Sequence, residues 1–247
     1  MRHIDKSKPC PDFEDFLSQY GQRLHGDWEK IKRINPKSSD GERIKVGQQV
    51  LLILFAHLRN EQKGLCIYCE QLIPEKTAIN RADYKYAHIE HVQKQELHPD
   101  LVFVQSNLSI SCNGFDCDIE VIADDMSIRE FCGHYKDNPT YNSTVFDDNR
   151  FLSPLRIDDI ETYFDYDVED NQMRIVPNSN CSNEQQNKAK FTIDVLGLQH
   201  PTLCEMLMNA YDMILGKLQN GIDIAEELSD EYDILPAFYS MLKNKFL

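Results

Sequence analysis

The sequence lacks any apolar run long enough to cross a bilayer. Its longest, Val50 to Leu58, falls far short of the roughly 20 residues a spanning helix needs. The basic residues of the opening MRHIDKSKPCPDFEDF are not followed by an apolar stretch, so the segment does not read as a secretory signal and the expected compartment is the cytoplasm. No Gly-x-x-x-x-Gly-Lys-Ser/Thr run occurs, which leaves the chain without a phosphate-binding loop of its own. Internal repeats and low-complexity tracts are also missing. Positive charge is scarce: 26 Lys and Arg stand against 41 Asp and Glu, a formal net charge of −15. That balance opposes a free-standing nucleic-acid binder, which usually carries a basic face.

The acidity is uneven. Residues 1–65 hold 12 basic and 9 acidic side chains, residues 66–138 hold 6 and 13, and residues 139–247 hold 8 and 19. Substrate can therefore approach the N-terminal side, or a partner protein can supply the positive surface. With 41% hydrophobic and 27% charged residues over 247 positions, the chain has the balance of an ordinary globular protein and the length to bury a substantial core. It divides into an N-terminal helical segment (1–65), a cysteine- and histidine-rich middle (66–138) and an acidic C-terminal region (139–247).

Apolar residues at Phe13, Phe16, Leu17, Tyr20, Leu24, Trp28 and Ile31 predict one helix from Phe13 to Ile34, and Ile44 to Asn60 predicts a second, apolar over much of its circumference. Ala87 to Val92 and Asn107 to Ser111 read as strands. Ser127 to Lys136 reads as a helix, with Ser127 and Glu130 forming a capping box. Two alternating stretches, Glu161 to Tyr166 and Met173 to Val176, read as a β-hairpin. Helices are expected over Asn183 to Leu196, stopped by Gly197, over Thr202 to Leu218, and over Ile222 to Leu247 with a break near Pro236.

Eight cysteines in a chain expected to be cytosolic read as thiols or metal ligands rather than disulfides. Cys10, Cys181 and Cys204 are scattered and expected as buried small hydrophobes. The pair Cys66-Ile67-Tyr68-Cys69 opens a turn that can place two thiolates on one metal, and Cys112 and Cys132 would complete a four-thiolate structural Zn²⁺ site, with Cys117 the competing fourth ligand. Such a zinc leaves no open coordination position for catalysis.

Within that frame lie His88-Ile89-Glu90-His91, Asn107-Leu108 and Cys132-Gly133-His134-Tyr135-Lys136-Asp137-Asn138. Phosphodiester hydrolysis needs a base to activate water, a cation on the phosphate oxygens and a group that holds the base. A neutral imidazole at His91 suits the base. Glu90 beside it and His134 from the helix can hold a Mg²⁺, Mn²⁺ or other transition-metal ion, with Asn138 the alternative helix ligand. Asn107 can fix the His91 tautomer or pin the loop. His88 shares the face of Glu90 and either touches the metal or packs. Lys136 reads as a phosphate contact or a solvated helix lysine. His57 and His200 read as hydrogen-bonded core histidines.

The order Cys-x-x-Cys, acidic-His, Asn-Leu, and a helix with Cys-x-His-x-Lys resembles the HNH, or ββα-metal, nuclease superfamily over Cys66 to Asn138. Glu90-His91, Ser111-Cys112-Asn113-Gly114 and Cys132 to Lys136, with Ser153-Pro154-Leu155 beyond, resemble more narrowly the HNH subunit of Septu-type anti-phage systems and their retron-associated relatives. The resemblance implies an α+β fold: a mainly helical chain around a zinc-stapled ββα-metal core, with an additional small β-hairpin. It places the family's base on His91, its middle asparagine on Asn107 and its helix metal ligand on His134. It further implies a DNA endonuclease that works as the effector of a defence complex with an ATPase partner. The chain departs from the usual pattern at Gly133, where many members carry the ligand directly after the last cysteine. It also departs in a 19-residue stretch between Cys112 and Cys132 that carries Asp116, Asp118, Glu120, Asp124 and Asp125. A non-catalytic zinc-binding adaptor and an RNA nuclease are the alternative readings.

Overall fold

A computed structural model describes residues 1–39, 41–75, 87–114, 131–140 and 142–247. Helix α1 (Pro11–Leu24) begins with proline at its first position and acidic Asp12 and Glu14 in its first turn, both suited to a helix N-terminus. It buries Phe13, Phe16 and Leu24. The helix expected to continue to Ile34 stops here, because His25 and Gly26 both turn into the left-handed region. Trp28–Arg33 follows as a separate 3-10 turn, capped by Asp27. The apolar spacing persists through the break because Trp28 and Ile31 still pack into the core.

Helix α2 (Val46–Glu61) buries Val50, Leu51, Leu54, Phe55 and Leu58. It crosses the 3-10 turn so closely that a Cβ at Gly47 would lie 1.7 Å from the Ile31 carbonyl oxygen, so glycine is required there. Strands β1 (Ala87–His91) and β2 (Leu108–Cys112) form an antiparallel pair with Ala87 opposite Cys112, Glu90 opposite Ser109 and His91 opposite Leu108. The five-residue helix α3 (Cys132–Lys136) packs on β2 and on the later helix Asn183–Leu196. Ser127 and Glu130, the expected capping box, lie outside the described residues.

Strands β3 (Phe164–Glu169) and β4 (Gln172–Pro177) form the second hairpin. Its two-residue turn, Asp170-Asn171, has positive φ at both positions, the backbone that matches strand twist in tight hairpins and that Asp and Asn tolerate best. Residues 161–163, expected in the strand, form a 3-10 turn ahead of it. Helix α4 (Asn183–Leu196) starts at a reciprocal Ser182/Gln185 capping box and ends at left-handed Gly197. Helix α5 (Pro201–Gln219) is capped by the His200 ring, and α4 and α5 both pack against β4.

The helix expected from Ile222 to Leu247 is reduced to α6 (Tyr239–Phe246). Its start is set by a distant partner: the buried Glu70 carboxylate accepts from Ser240 N–H at 2.7 Å and from Ser240 Oγ–H at 2.6 Å, and the Glu70 carbonyl accepts from Phe238 N–H at 2.8 Å. Between 222 and 238 the chain runs in turns and hands the Leu235 N–H to the Lys63 carbonyl rather than to a helical neighbour. The fold is thus a mixture of helices and two small antiparallel hairpins around a four-cysteine cluster. One continuous buried core draws on all three stretches of the sequence, with Phe13, Leu54, Ile110, Phe164 and Leu196 among its members. No helix among the described residues is long and apolar enough to cross a membrane.

Candidate metal centre and adjoining cleft

The chain from Leu65 to Leu72 folds back on itself, with Cys66 N–H donating to the Gln71 carbonyl at 2.8 Å and Glu70 N–H to the Cys66 carbonyl at 3.1 Å. This reversal brings Cys66 and Cys69 to one side. Buried Gln62, at the end of α2, fastens the turn to β2: its amide donates to the carbonyls of Leu65 and Ile110, and its oxygen accepts from Ile110 N–H. Cys112 closes β2 and Cys132 opens α3, so four separate backbone positions converge.

The four sulfurs all lie within 4.8 Å of one another and every one of these residues is buried. Cys69 and Cys112 are 3.6 Å apart and Cys66 and Cys132 are 3.9 Å apart. A tetrahedral zinc with bonds of about 2.3 Å has sulfur–sulfur edges of about 3.8 Å, so the geometry fits such an ion. Backbone N–H groups of Cys112 and Gln71 approach Cys66 Sγ and Cys69 Sγ at 3.3 and 3.5 Å, which suits thiolates better than thiols. Burial pushes the Cys69, Cys112 and Cys132 thiols up. Cys66 is equally buried, yet hydrogen bonds from Cys112 and Cys132 hold it well below the usual thiol value. A cation bound among the four sulfurs would favour their thiolate forms. Cys132 and Glu70 sit at φ +66° and +64°, a conformation costing about 1–3 kcal/mol for a side-chain-bearing residue unless its surroundings hold it. Of the two candidates for the fourth ligand, Cys132 stands in the cluster, while Cys117 lies outside the described residues. Of the scattered cysteines, Cys10 and Cys204 are buried as expected; Cys181 is partly exposed, its Sγ 3.5 Å from the Thr162 carbonyl.

Beside the cysteines a cleft of about 240 Å³ is lined by His88, Ile89, Glu90, His91, Lys94, Gln95, Glu96, His134 and Asp137. His91 Nε2 lies 2.9 Å from the Val102 carbonyl, which can only accept, so Nε2 carries the proton and Nδ1 the lone pair. Gln95 Nε2 stands 3.0 Å from Nδ1 as its donor. The Trp28 ring meets the imidazole edge-on at 4.8 Å. Burial lowers the His91 pKa and outweighs the opposing pull of the Val102 carbonyl, which favours the neutral ring.

The Asn107 side chain hydrogen-bonds to Gln93 and Leu101 rather than to His91. Its oxygen accepts from Gln93 N–H at 2.8 Å and its amide donates to the Gln93 carbonyl at 3.1 Å, closing the loop that carries Val102. Of the two roles open to it, Asn107 thus pins the loop, and the Val102 carbonyl fixes the tautomer.

Glu90 is almost fully buried, with Lys136 Nζ at 2.8 Å and the Tyr68 hydroxyl at 2.9 Å, both on Oε1. Burial alone would raise its pKa, but the Lys136 ammonium and His88 more than offset this and hold the carboxyl far below the usual carboxylate range. Lys136 is neither a solvated lysine nor placed to meet a phosphate. Its side chain has 0% exposure and also donates to the carbonyls of His91 and Val92. The reason for Gly133 is steric: a Cβ there would lie 2.4 Å from Glu90 Oε2.

His134 stacks on His88 with ring centres 3.8 Å apart and lines the cleft, whereas the Asn138 side chain accepts from Thr140 N–H in the turn after α3. Among the described residues, no second group of three or more donors gathers as tightly as the cysteines. His57 joins a half-buried polar cluster with Gln105 and Glu61, and His200 caps α5. The motif reading missed Val102, Tyr68 and Gln95. Only the last had a local signal, four residues beyond His91. No family model matches the chain, and no curated protein matches it.

Proposed function

We propose that the chain is a metal-dependent endonuclease of the HNH type, with residues 66–138 as its hydrolytic core. The observation that carries this reading is the setting of His91: an imidazole with its tautomer fixed by the Val102 carbonyl, lining a cleft shared with Glu90 and His134. In this reading His91 Nδ1 takes a proton from water once that water displaces the Gln95 amide. Glu90 and His134 are the residues that would hold a Mg²⁺ or Mn²⁺ ion, which when bound would polarise the phosphate and stabilise the leaving oxygen. Asn107 keeps the Val102 carbonyl in place. Lys136 keeps Glu90 ionised and therefore able to attract a cation.

DNA as the substrate, an ATPase as the partner and a role as the effector of an anti-phage complex rest on the resemblance to Septu-type subunits. The missing phosphate-binding loop and the net charge of −15 agree with a partner that supplies both ATP binding and positive surface. One observation favours the rival reading of a zinc-binding adaptor: the Glu90 carboxylate already meets Lys136, Tyr68 and His88.

Plasmid cleavage by wild type and His91→Ala, with Mg²⁺ or Mn²⁺ and with or without the ATPase partner, separates the two. The hydrolytic reading expects His91→Ala to lose about 10²–10⁴ in rate while keeping its zinc. Burial depresses the His91 pKa, so the acid limb of the wild-type rate should lie below the ordinary histidine value of about 6.5. A zinc-loaded wild type that cuts nothing with the partner present would establish the adaptor reading instead.

A further inference from the structure

Three cations of this acidic chain gather around another cavity, which shares no lining residue with the cleft of His91. It encloses about 500 Å³, the size of a site for a small organic molecule rather than for a bare ion. Its fixed positive charges are Arg2 ahead of α1, Lys63 just after α2 and Lys243 on α6, set against the exposed acids Glu161 and Asp230. The lining is therefore net positive in a chain whose formal charge is −15.

With 41 acidic side chains for 26 basic ones, a cation here readily finds a carboxylate, as Lys6 does with Glu61 and Lys136 with Glu90. Arg2, Lys63 and Lys243 form no ion pair among the described residues. Arg2 donates to the Gln62 carbonyl, Lys63 donates to the backbone carbonyl of Asp230, and Lys243 lies 5.6 Å over the Tyr239 ring. Arg2 is half-buried, and burial lowers its pKa against the weaker pull of Glu70, Tyr239 and Glu161. Its Nε is covered and has no hydrogen-bond partner, and the same holds for Nδ1 of the adjoining His3. Buried polar groups are nearly always paired, so two such nitrogens in consecutive residues set this wall of the cavity apart. An anion in the cavity would offset the uncompensated charge of Arg2 even where Nε itself stays covered.

Beside the cations, Phe164, Tyr166, Leu235 and Tyr239 give the cavity an apolar wall. That pairing suits a ligand with an anionic end and a less polar body. A guanidinium fork and two ammonium groups match the charge of a phosphate better than that of a single carboxylate. We propose that this cavity binds a small organic phosphate, with Arg2, Lys63 and Lys243 supplying the positive charge and the aromatic wall receiving the organic part. The site is independent of the hydrolytic reading.

The test is isothermal titration calorimetry of the purified full chain without added divalent ions, so that no phosphate is drawn to the His91 cleft through a metal. Ribose 5-phosphate and adenosine 5′-monophosphate are compared with adenosine and inorganic phosphate. At least one ester should bind more tightly than both controls. A lead for the nucleotide identifies a base-stacking site, and parity of the two esters identifies a sugar phosphate. Arg2→Gln should weaken the ester at least tenfold, the loss expected for a hydrogen bond to a charged group. Lys243→Gln, at an exposed position, should weaken it by about two- to fivefold. His91→Ala should bind as wild type does. The proposal is overturned if neither ester binds, if adenosine or inorganic phosphate binds as tightly, or if affinity is unchanged in both cation variants. It is equally overturned if His91→Ala weakens binding as much as Arg2→Gln. Should Arg2→Gln fail to fold, Lys63→Gln and Lys243→Gln decide, and unchanged affinity in both overturns the assignment.

Discussion

Replacing Lys136 with methionine should destabilise the protein far more than a helix-surface lysine would allow. The ammonium has three hydrogens, and the structure supplies them with Glu90 Oε1 at 2.8 Å, the His91 carbonyl at 3.1 Å and the Val92 carbonyl at 3.3 Å. Methionine fills the same volume but takes the ammonium from a buried carboxylate, which keeps Tyr68 and His88 as partners, and removes a donor from two carbonyls. Breaking a buried ion pair from one side costs about 3–5 kcal/mol, and in a chain of this size that lowers the unfolding midpoint by about 6–20 °C. The pH dependence has a definite sign. In the wild type the Glu90 pKa is depressed, so its stabilisation is complete above the ordinary carboxylate value of about 4.3 and is lost as pH falls below it. In Lys136→Met burial loses its largest opponent and only the weaker pull of His88 is left among the named influences, so that pKa rises; the variant's deficit is present at neutral pH and shrinks as Glu90 takes up a proton in acid. Glu90→Gln combined with Lys136→Met should recover most of the loss, because no charge is then left buried. Urea or thermal unfolding of the zinc-loaded proteins at neutral and acidic pH measures all of this. A Lys136→Met variant within about 1 kcal/mol of wild type, below the cost expected of a buried pair, would refute the reasoning, as would a double variant no more stable than the single one.

The cysteine cluster makes its own prediction: the purified protein should carry one zinc, and Cys112→Ser or a strong chelator should remove it together with the order of the β1–β2 pair, since such an ion would hold four separate backbone positions at once. Metal analysis with circular dichroism checks this, and an unchanged fold without metal would count against a structural zinc. Asn107→Ala should keep the zinc yet lose about 1–3 kcal/mol, because it leaves the Gln93 backbone groups without their partner. If the proposed nuclease reading holds, cleavage by this variant should also fall as the Val102 carbonyl loses its anchor. A urea midpoint equal to wild type would argue against the clamp.

Local signals made part of this protein legible without coordinates. Helix α4 runs over Asn183–Leu196 as expected because Ser182, Gln185 and Gly197 are start and stop signals within one turn of its ends. The second hairpin was visible through its period-two alternation, and the cysteine group through the Cys66/Cys69 spacing. Helix α1 misled because Trp28 and Ile31 keep the apolar period across the His25-Gly26 reversal, and periodicity reports burial rather than backbone continuity. The 222–238 stretch misled for the converse reason. Its composition allows helix, but its start point is settled by Glu70, about 170 residues earlier in the chain.

The sequence by itself determined the residue types at each chemical position: four thiols, an acid followed by a histidine, an asparagine, and a short histidine- and lysine-bearing segment after the last cysteine. Those follow from spacing, and spacing is local. The tertiary structure alone decided what each group faces. It turned Lys136 inward to Glu90, gave His91 its tautomer through Val102, made Gly133 a steric necessity and set His88 against Glu90 rather than solvent. Each of these depends on which backbone atoms from distant segments arrive within about 3 Å, the range over which hydrogen bonds and buried charges act.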